Sequence, residues 1–596
     1  MDAAGTLDAA IAAHRRGAMA DAERLYRAVL NDNPGHADAC ALLAVVLGAR
    51  GAFDDALRYA DRAVVIDPAS GLLHFHRGNV LMAAQKLPDA IAALEQARAL
   101  QPNMAQVHYN LANALRAAGD WPRAIDSYRA ALALDPASPD TANNLALSLV
   151  HEKQIEEAQI IASDLTARVP GYGEGWITLC NVAEKTGDYR LALSAGRRAI
   201  EIAPQNHYAW FGYGVALNRL NRDADAIDAY TRALALEPGR ADIWDNIAQS
   251  YQSMNELDKA YDAYRQAVDV AGQAIVGDGA RAVDEEEYGN RHWHLGLVEL
   301  LRGDYKSGFA HYRARFKSIP ELKRLSMPFP LWRGEDLTGK TLLVCDEQGF
   351  GDTLMLARFL PVLRARGARV VFSVHPVLKS FFADWDGADA VIAHEGQVPP
   401  CDFHCSSFDL PYWLGVTRDT VPAAVPYLPV LSPDADTFLP AAGMARKIGV
   451  VWGGSALHKG DAKRSVPLRL MAKLFDTPGA AFYSFNRDMK EGDAALLPRL
   501  PVENLAPALK DFAAAARLIG QMDLVITCDT ATAHLAGGLG KPVWILLPFA
   551  PDWRWLTGRA DTVWYPTARL FRQPRQGDWT SVVADVKAAL MNVSQA

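Results

Sequence analysis

Seven prolines, Pro34, Pro68, Pro102, Pro136, Pro170, Pro204 and Pro238, recur every 34 residues. Eight alanines keep step with them: Ala22, Ala56, Ala90, Ala124, Ala158, Ala192, Ala226 and Ala260. Four residues after several of these comes a tyrosine (Tyr26, Tyr128, Tyr230, Tyr264), and three residues later another alanine (Ala63, Ala97, Ala131, Ala199, Ala233, Ala267). Small residues at a fixed phase let two antiparallel helices approach closely, and a proline ends the second helix of each pair. Gly78 and Gly212 are expected at the tight-contact position of the first helix. The period predicts a helical solenoid of eight repeats over residues 3–272, in which each unit buries its apolar face only against its neighbours.

The pattern resembles the tetratricopeptide (TPR) repeat. After an irregular insert near Gln273–Glu287, a degenerate ninth unit keeps the phase through Trp293, Gly296, Gly308, Tyr312 and Arg315. It reads as the pair that joins the solenoid to the C-terminal half of the chain, with a linker at Ile319–Arg333; insert, ninth unit and linker together span 273–335. A solenoid of this kind offers a concave face for an extended peptide or a helix of a protein partner. Asn110, Asn113, Asn143, Asn144, Asn181 and Asn246 are candidate groove residues, because an amide side chain both donates to and accepts from a peptide backbone. The array recognises; it does not catalyse.

From Lys340 the periodicity changes to alternating strand and helix. Thr341–Cys345 reads as a strand that opens into Gln348, Gly349, Gly351 and Asp352, followed by a helix from Thr353 to Arg366 and a strand at Arg369–Val374. Gly349 and Gly351 permit tight backbone and close approach of a ligand, and Asp352 is expected to cap the helix. Further strands are expected at Ala390–Ala393, near Asp402–Ser406, at Lys447–Trp452 and at Ala481–Phe485. The loop from Gly453 to Ser465 carries glycines, His458 and the basic Lys459, Lys463 and Arg464, which suits phosphate. In Ile519–Pro548, strand Leu524–Thr527 runs into Asp529-Thr530 and the small-residue helix Ala531–Leu539, then strand Val543–Leu547. A strand end that meets a helix start is where open α/β sheets bind phosphorylated ligands. The whole predicts two Rossmann-like α/β lobes, 336–440 and 441–596, with a cleft between them.

Composition removes several alternatives. A net charge of −8, without a basic block, argues against a nucleic-acid partner. The acidic start, MDAAGTLDAA, lacks a signal pattern, and the longest apolar runs are far shorter than a membrane span. The expectation is a soluble cytoplasmic protein with no membrane partner. Six cysteines make no disulfide framework, and His404 between Cys401 and Cys405 lacks the second ligand pair that a zinc site needs.

The segments GKTLLVCDEQGFGD, KIGVVWGGS, KRSVPL, DLVITCDTATAHLAGGLGKPVWILLPFAPDWRWL and WYPTARLFRQ, in this order, resemble bacterial TPR proteins that carry a heptosyltransferase-like glycosyltransferase domain of the GT-B type (family 9). The arrangement is similar to that of the flagellin-modifying glycosyltransferases of alphaproteobacteria. The resemblance implies a compact GT-B module, a nucleotide-sugar co-substrate, no cofactor and no metal. It implies a protein acceptor, flagellin by the parallel with those enzymes, and a CMP-activated nonulosonic acid such as pseudaminic acid as donor. It assigns the general base to Asp352, and donor phosphates to Asp529, Thr530, Ala531 (commonly glycine in that family) and His534, with Gly453, Lys463 and Arg464 nearby. Asp552, Trp553 and Arg554 are expected along the pocket wall. A glycan or lipid-linked acceptor, or a TPR adaptor with a non-catalytic transferase lobe, are the alternatives.

Overall fold

In the computed structural model, residues 3–276, 285–319, 322, 327–440, 443, 445–454 and 461–593 are described. The chain divides into two compact units, Met1–Pro238 and Gly239–Ala596. Among the described residues no helix is long and apolar enough to cross a membrane.

The first unit is built of helix pairs such as Ala37–Ala49 with Phe53–Ile66 and Ala105–Ala117 with Trp121–Leu134. The second helix of each pair stops two residues before the period proline, at Asp32, Ile66, Leu100, Leu134, Arg168, Ile202 and Leu236. The residue before a proline is disfavoured in helical conformation, which accounts for the stop. The proline carbonyl is then satisfied from the next helix: Trp176 Nε1 donates to Pro170 O and Trp210 Nε1 to Pro204 O, both at 2.9 Å. The in-phase alanines are wholly buried, as are Tyr26, Tyr128 and Tyr230.

Polar side chains tie successive repeats together. Asn110 Nδ2 donates to Asn79 Oδ1 (2.7 Å), Asn144 Nδ2 to the Tyr109 hydroxyl (3.1 Å) and Thr178 Oγ1 to Asn143 Oδ1 (2.7 Å). The Tyr128 hydroxyl donates to Asn113 Oδ1 at 2.5 Å. Asn143 is buried and serves as an inter-repeat tie, so it leaves the set of groove candidates. Asn110, Asn113 and Asn144 are partly committed to their neighbours, and Asn181 is exposed. Asn246 lies in the second unit, where its Nδ2 donates to Asp242 O of its own helix at 2.8 Å.

The second unit opens with the pair Ala241–Ser253 and Leu257–Val276, then Glu285–Arg302 and Tyr305–Tyr312. The eighth repeat and the degenerate ninth therefore share a compact unit with the sheets. A Cβ on Gly296 would lie 2.8 Å from Tyr312 N, and one on Gly308 2.7 Å from Leu300 Cγ, so both glycines are what lets this last pair close.

Two parallel sheets complete the unit. The first holds β1 (Thr341–Cys345), β2 (Arg369–Val374), β3 (Ala390–Ala393) and β4 (Phe403–Ser406) in the order β3-β2-β1-β4. The second holds β5 (Arg446–Val451), β6 (Ala480–Ser484), β7 (Val502–Asn504), β8 (Leu524–Cys528), β9 (Val543–Leu547) and β10 (Ala568–Arg572) in the order β10-β9-β8-β5-β6-β7. Strands β8 and β9 are buried along their whole length, as a parallel sheet covered on both faces requires. In each sheet the winding direction reverses once, between β1 and β4 and between β5 and β8. Such reversals open a crevice at the carboxyl ends of the strands, where ligands bind. The helix expected to run unbroken after β1 is two pieces, Phe350–Leu356 and Phe359–Ala365.

The tight contact expected at Gly212 belongs instead to Gly214, four periods on from Gly78. A Cβ on Gly214 would sit 2.5 Å from Tyr230 Cε1 and one on Gly78 2.6 Å from Leu94 Cγ, whereas one on Gly212 would meet Cys180 Sγ at a milder 3.3 Å. Gly214→Ala is expected to cost about 1–3 kcal/mol by overpacking against the Tyr230 ring, and Gly212→Ala much less. Denaturant unfolding of the two variants checks the order; equal losses would contradict it.

Candidate functional site

The carboxyl ends of β1, β5 and β8 border one cleft of about 990 Å³. Among its lining residues are Gln348, Gly349, Gly351, Asp352, Gly453, Lys463, Arg464, Asp529, Thr530, Ala531, His534, Asp552 and Arg554, brought together from segments some 200 residues apart in sequence.

The wall after β1 is held from behind. Arg315 is fully buried and donates to both oxygens of Glu347 (2.6 and 2.8 Å) and to Asp409 Oδ1 (3.0 Å). Burial alone would raise the Glu347 carboxyl, but Arg315 and Ser406 hold it below the usual range. Gln348 takes a left-handed backbone (φ 67°), and its amide donates to the Tyr312 hydroxyl at 2.9 Å. Gly349 then caps the helix Phe350–Leu356. Asp352, expected as the cap, sits three residues on, and its Oδ2 accepts the Gly349 N–H at 3.0 Å. This reciprocal bond fixes the carboxylate over the helix start.

The opposite wall comes from the second sheet. Thr530 is the residue before the helix Ala531–Gly538, but its hydroxyl pairs with Thr527 Oγ1 at 3.1 Å and gives the helix no side-chain cap. The first-turn N–H groups at this uncapped end are left to whatever enters, with the positive end of the helix dipole behind them. Beside it, Gly454 N donates to Asp461 Oδ1 at 3.0 Å, and Asn486 accepts from Trp452 N (3.0 Å) and donates to Gly453 O (3.1 Å). Lys463 and Arg464 border the cleft, whereas Ser455–Gly460, with His458 and Lys459, lie outside the described residues.

The walls touch at Gly351: a Cβ there would lie 2.8 Å from His534 Cδ2 and 3.4 Å from Ala531 Cα. His534 is buried, stacks on Trp555 with centroids 5.4 Å apart, and shares a 2.8 Å hydrogen bond with the Tyr565 hydroxyl. Burial first, then Arg554 and Arg358, push its titration well below the usual histidine range. A neutral His534 offers a ligand a hydrogen bond and no charge.

Arg554 crosses the cleft. It belongs to the turn Trp553–Trp555, whose cap Asp552 accepts from Arg554 N (3.0 Å) and Nη1 (2.7 Å), and its Nη2 pairs with Asp352 Oδ1. Burial raises the Asp352 carboxyl above the ordinary range, against the lowering effect of Arg554 and the Gly349 N–H. Asp529 is pushed up to about 6, by burial and then by Asp552, against Arg554. Asp352 and Asp552 thus share the Arg554 guanidinium, and Asp529 feels both Arg554 and Arg464.

Trp553 is no part of the pocket wall. It is buried, and its ring meets Tyr305 and Phe309 of the ninth repeat edge-on, at 6.3 and 5.7 Å. In CDFHC, His404 and Cys405 are neighbours on β4 and so point to opposite faces of the sheet. Among the described residues no group of three His, Cys, Asp or Glu side chains could hold a metal ion. Sequence reasoning missed Asn486, Arg487, Asp488 and Asp511, all on the cleft; their one signal is position, since the first three directly follow the β6 segment.

Models of the tetratricopeptide repeat match residues 13–74 and 115–179, 75–139 and 178–241, and 241–273. The helical array is a TPR solenoid. The chain is 26% identical over 537 residues to Protein FlbA of Caulobacter vibrioides, covering 75% of this chain and 88% of that one, a share larger than either compact unit alone. It is 32% identical over 95 residues to the general transcriptional corepressor ssn6 of Schizosaccharomyces pombe, covering 16% of this chain and 9% of that protein. Among solved structures, Pseudomonas aeruginosa pilF is similar at 20% identity and a TM-score of 0.32, over 35% of this chain and 94% of pilF.

The raised Asp529 gives a pH test with a definite sign. An unfolded aspartate titrates near 4, so between about pH 4 and 6 the folded protein holds the extra proton and stability falls as pH rises through that window. Asp529→Asn is therefore expected to melt roughly 2–5 °C above the parent at pH 8, with the gain shrinking towards pH 4. Melting curves across pH check it; a gain that grows on acidification would contradict the assignment.

Proposed function

We propose that this protein is a glycosyltransferase that moves a sugar from a nucleotide donor to a serine or threonine hydroxyl of a protein captured by the TPR array. The observation that carries the reading is the cleft itself. One volume, of a size that suits a small-molecule ligand, joins the carboxylate-bearing glycine turn of the first sheet to the uncapped helix start of the second. The donor phosphates would take the N–H groups at Thr530–Ala531, with Lys463 and Arg464 as countercharges. No metal is needed where helix N–H groups and basic side chains balance the leaving phosphate.

Asp352 is the proposed general base. It takes the proton of the acceptor hydroxyl as that oxygen attacks the anomeric carbon, while the bond from that carbon to the phosphate oxygen breaks. Its raised titration range makes it a stronger base than a free aspartate. The motif resemblance favours flagellin as the acceptor and a CMP-nonulosonic acid such as pseudaminic acid as the donor. A relative that spans both parts of the chain, Protein FlbA, supports the view that array and cleft work as one protein.

One observation favours the alternative of a TPR adaptor with a binding-only cleft: both oxygens of Asp352 are occupied. A transfer assay with the full-length chain separates the two. With a panel of nucleotide sugars and co-expressed flagellin, intact-mass analysis is expected to show a discrete sugar increment. Asp352→Ala is expected to lower transfer by about 10²-fold or more, with acceptor capture unchanged. Full transfer by that variant would remove Asp352 from the role, and no increment with any donor would favour the adaptor.

A further inference from the structure

The paired state of Asp352 carries a consequence for the order of events. Asp352 Oδ2 is held by the Gly349 N–H of its own turn, whereas Oδ1 is held by Arg554 from the other side of the cleft. A carboxylate oxygen in a guanidinium pair is a poor proton acceptor, because the proton would arrive beside a fixed positive charge. Arg554 is 8% exposed, and its Nε has no hydrogen-bond acceptor among the described residues, so this guanidinium has a spare donor in a buried setting. Its other tie, to Asp552, lies within its own turn and would move with it. Asp352 and Asp552 both hold it and Asp529 lies within its electrostatic reach, so an incoming anion must compete with carboxylates for Arg554. The guanidinium is thus in demand from two sides and can satisfy Asp352 or a ligand anion, each as a charge-assisted hydrogen bond.

We propose that Arg554 is a two-position latch. With the cleft empty it holds Asp352 Oδ1; when an anionic group of the donor enters, it passes to that group and leaves Oδ1 free, with Oδ2 still oriented by Gly349. The acceptor proton then goes to Oδ1, and the phosphate that departs from the anomeric carbon is held by Arg554. The base is available only when a donor is in place. This inference rests on the donor-site reading above, and deepens it by making acceptor activation depend on donor binding.

The latch is a linkage and is tested as one. Affinities for CMP, UDP, GDP and inorganic pyrophosphate are measured by calorimetry on the full-length protein and on Asp352→Asn, Arg554→Gln and the double variant. If Asp352 competes with the ligand for Arg554, Asp352→Asn tightens binding of at least one of these anions by about fivefold or more. Arg554→Gln weakens it by a similar factor. In the Arg554→Gln background, Asp352→Asn changes affinity by less than about twofold. Equal tightening in both backgrounds would mean a general charge effect and would overturn the latch while leaving the donor site in place. Binding that ignores Arg554→Gln would overturn it as well. Failure of all four anions to bind would overturn latch and donor site together. Should Arg554→Gln not fold, a crystal structure of the unaltered protein with the tightest of these anions decides. The Arg554–Asp352 contact is expected to open beyond 4 Å, and an intact pair would refute the proposal.

Discussion

Arg315 is the point on which the second unit depends. A fully buried guanidinium is tolerated only when carboxylates and good geometry surround it, and here Glu347 takes it with two oxygens while Asp409 takes a third N–H. The three residues come from different places: the short helix Arg315–Ser318 that closes the ninth unit, the turn after β1 and the turn Ser407–Asp409 after β4. The ion cluster therefore sets where the β1 turn lies, and through Gln348, Gly349 and Asp352 it sets one wall of the cleft. With Arg315 removed, two buried carboxylates would be left without their countercharge.

The opposite wall is set by contact. Gly351 lies so close to His534 that a methyl group would not fit, and the helix starts at Phe350 and Ala531 meet there. That closeness excludes water from His534 and keeps it neutral, while Arg554 supplies the positive charge that the histidine does not. The neutral ring and the positive charge at this wall thus come from two separate segments. The same burial raises Asp529 and Asp352, while Arg554 pulls both the other way.

Much of this is legible in the sequence, and for identifiable reasons. The 34-residue period sets the helix pairs because prolines and buried alanines are local and repetitive signals. Strands β1, β2, β3 and β9 match their expected bounds because each is a short apolar run between turn residues. The two strands that carry no such signal, β7 and β10, are an edge strand three residues long and a strand with arginines at two of its five positions. The cap expected at Asp352 lies three residues away because an aspartate can serve a helix start from either end of a capping arrangement. Trp553 departs from expectation for a different reason: an aromatic residue beside a charged turn looks the same in sequence whether it faces ligand or core. Contacts such as Arg554 with Asp352 join residues about 200 positions apart and leave no local pattern.

The ninth repeat shows why departure from a consensus is informative. A regular repeat ends against another repeat. This one ends against the turn Trp553–Trp555 and the nearby Trp564, and buried aromatics make the contact: Tyr305 accepts from Trp564 Nε1 at 3.1 Å, and Phe309 packs edge-on to Trp553. Gly296 and Gly308 keep the pair itself closed, as in any repeat, while Tyr312 turns its hydroxyl to Gln348 at the cleft. The aromatic contacts of this unit seat the turn from which Arg554 reaches across the cleft.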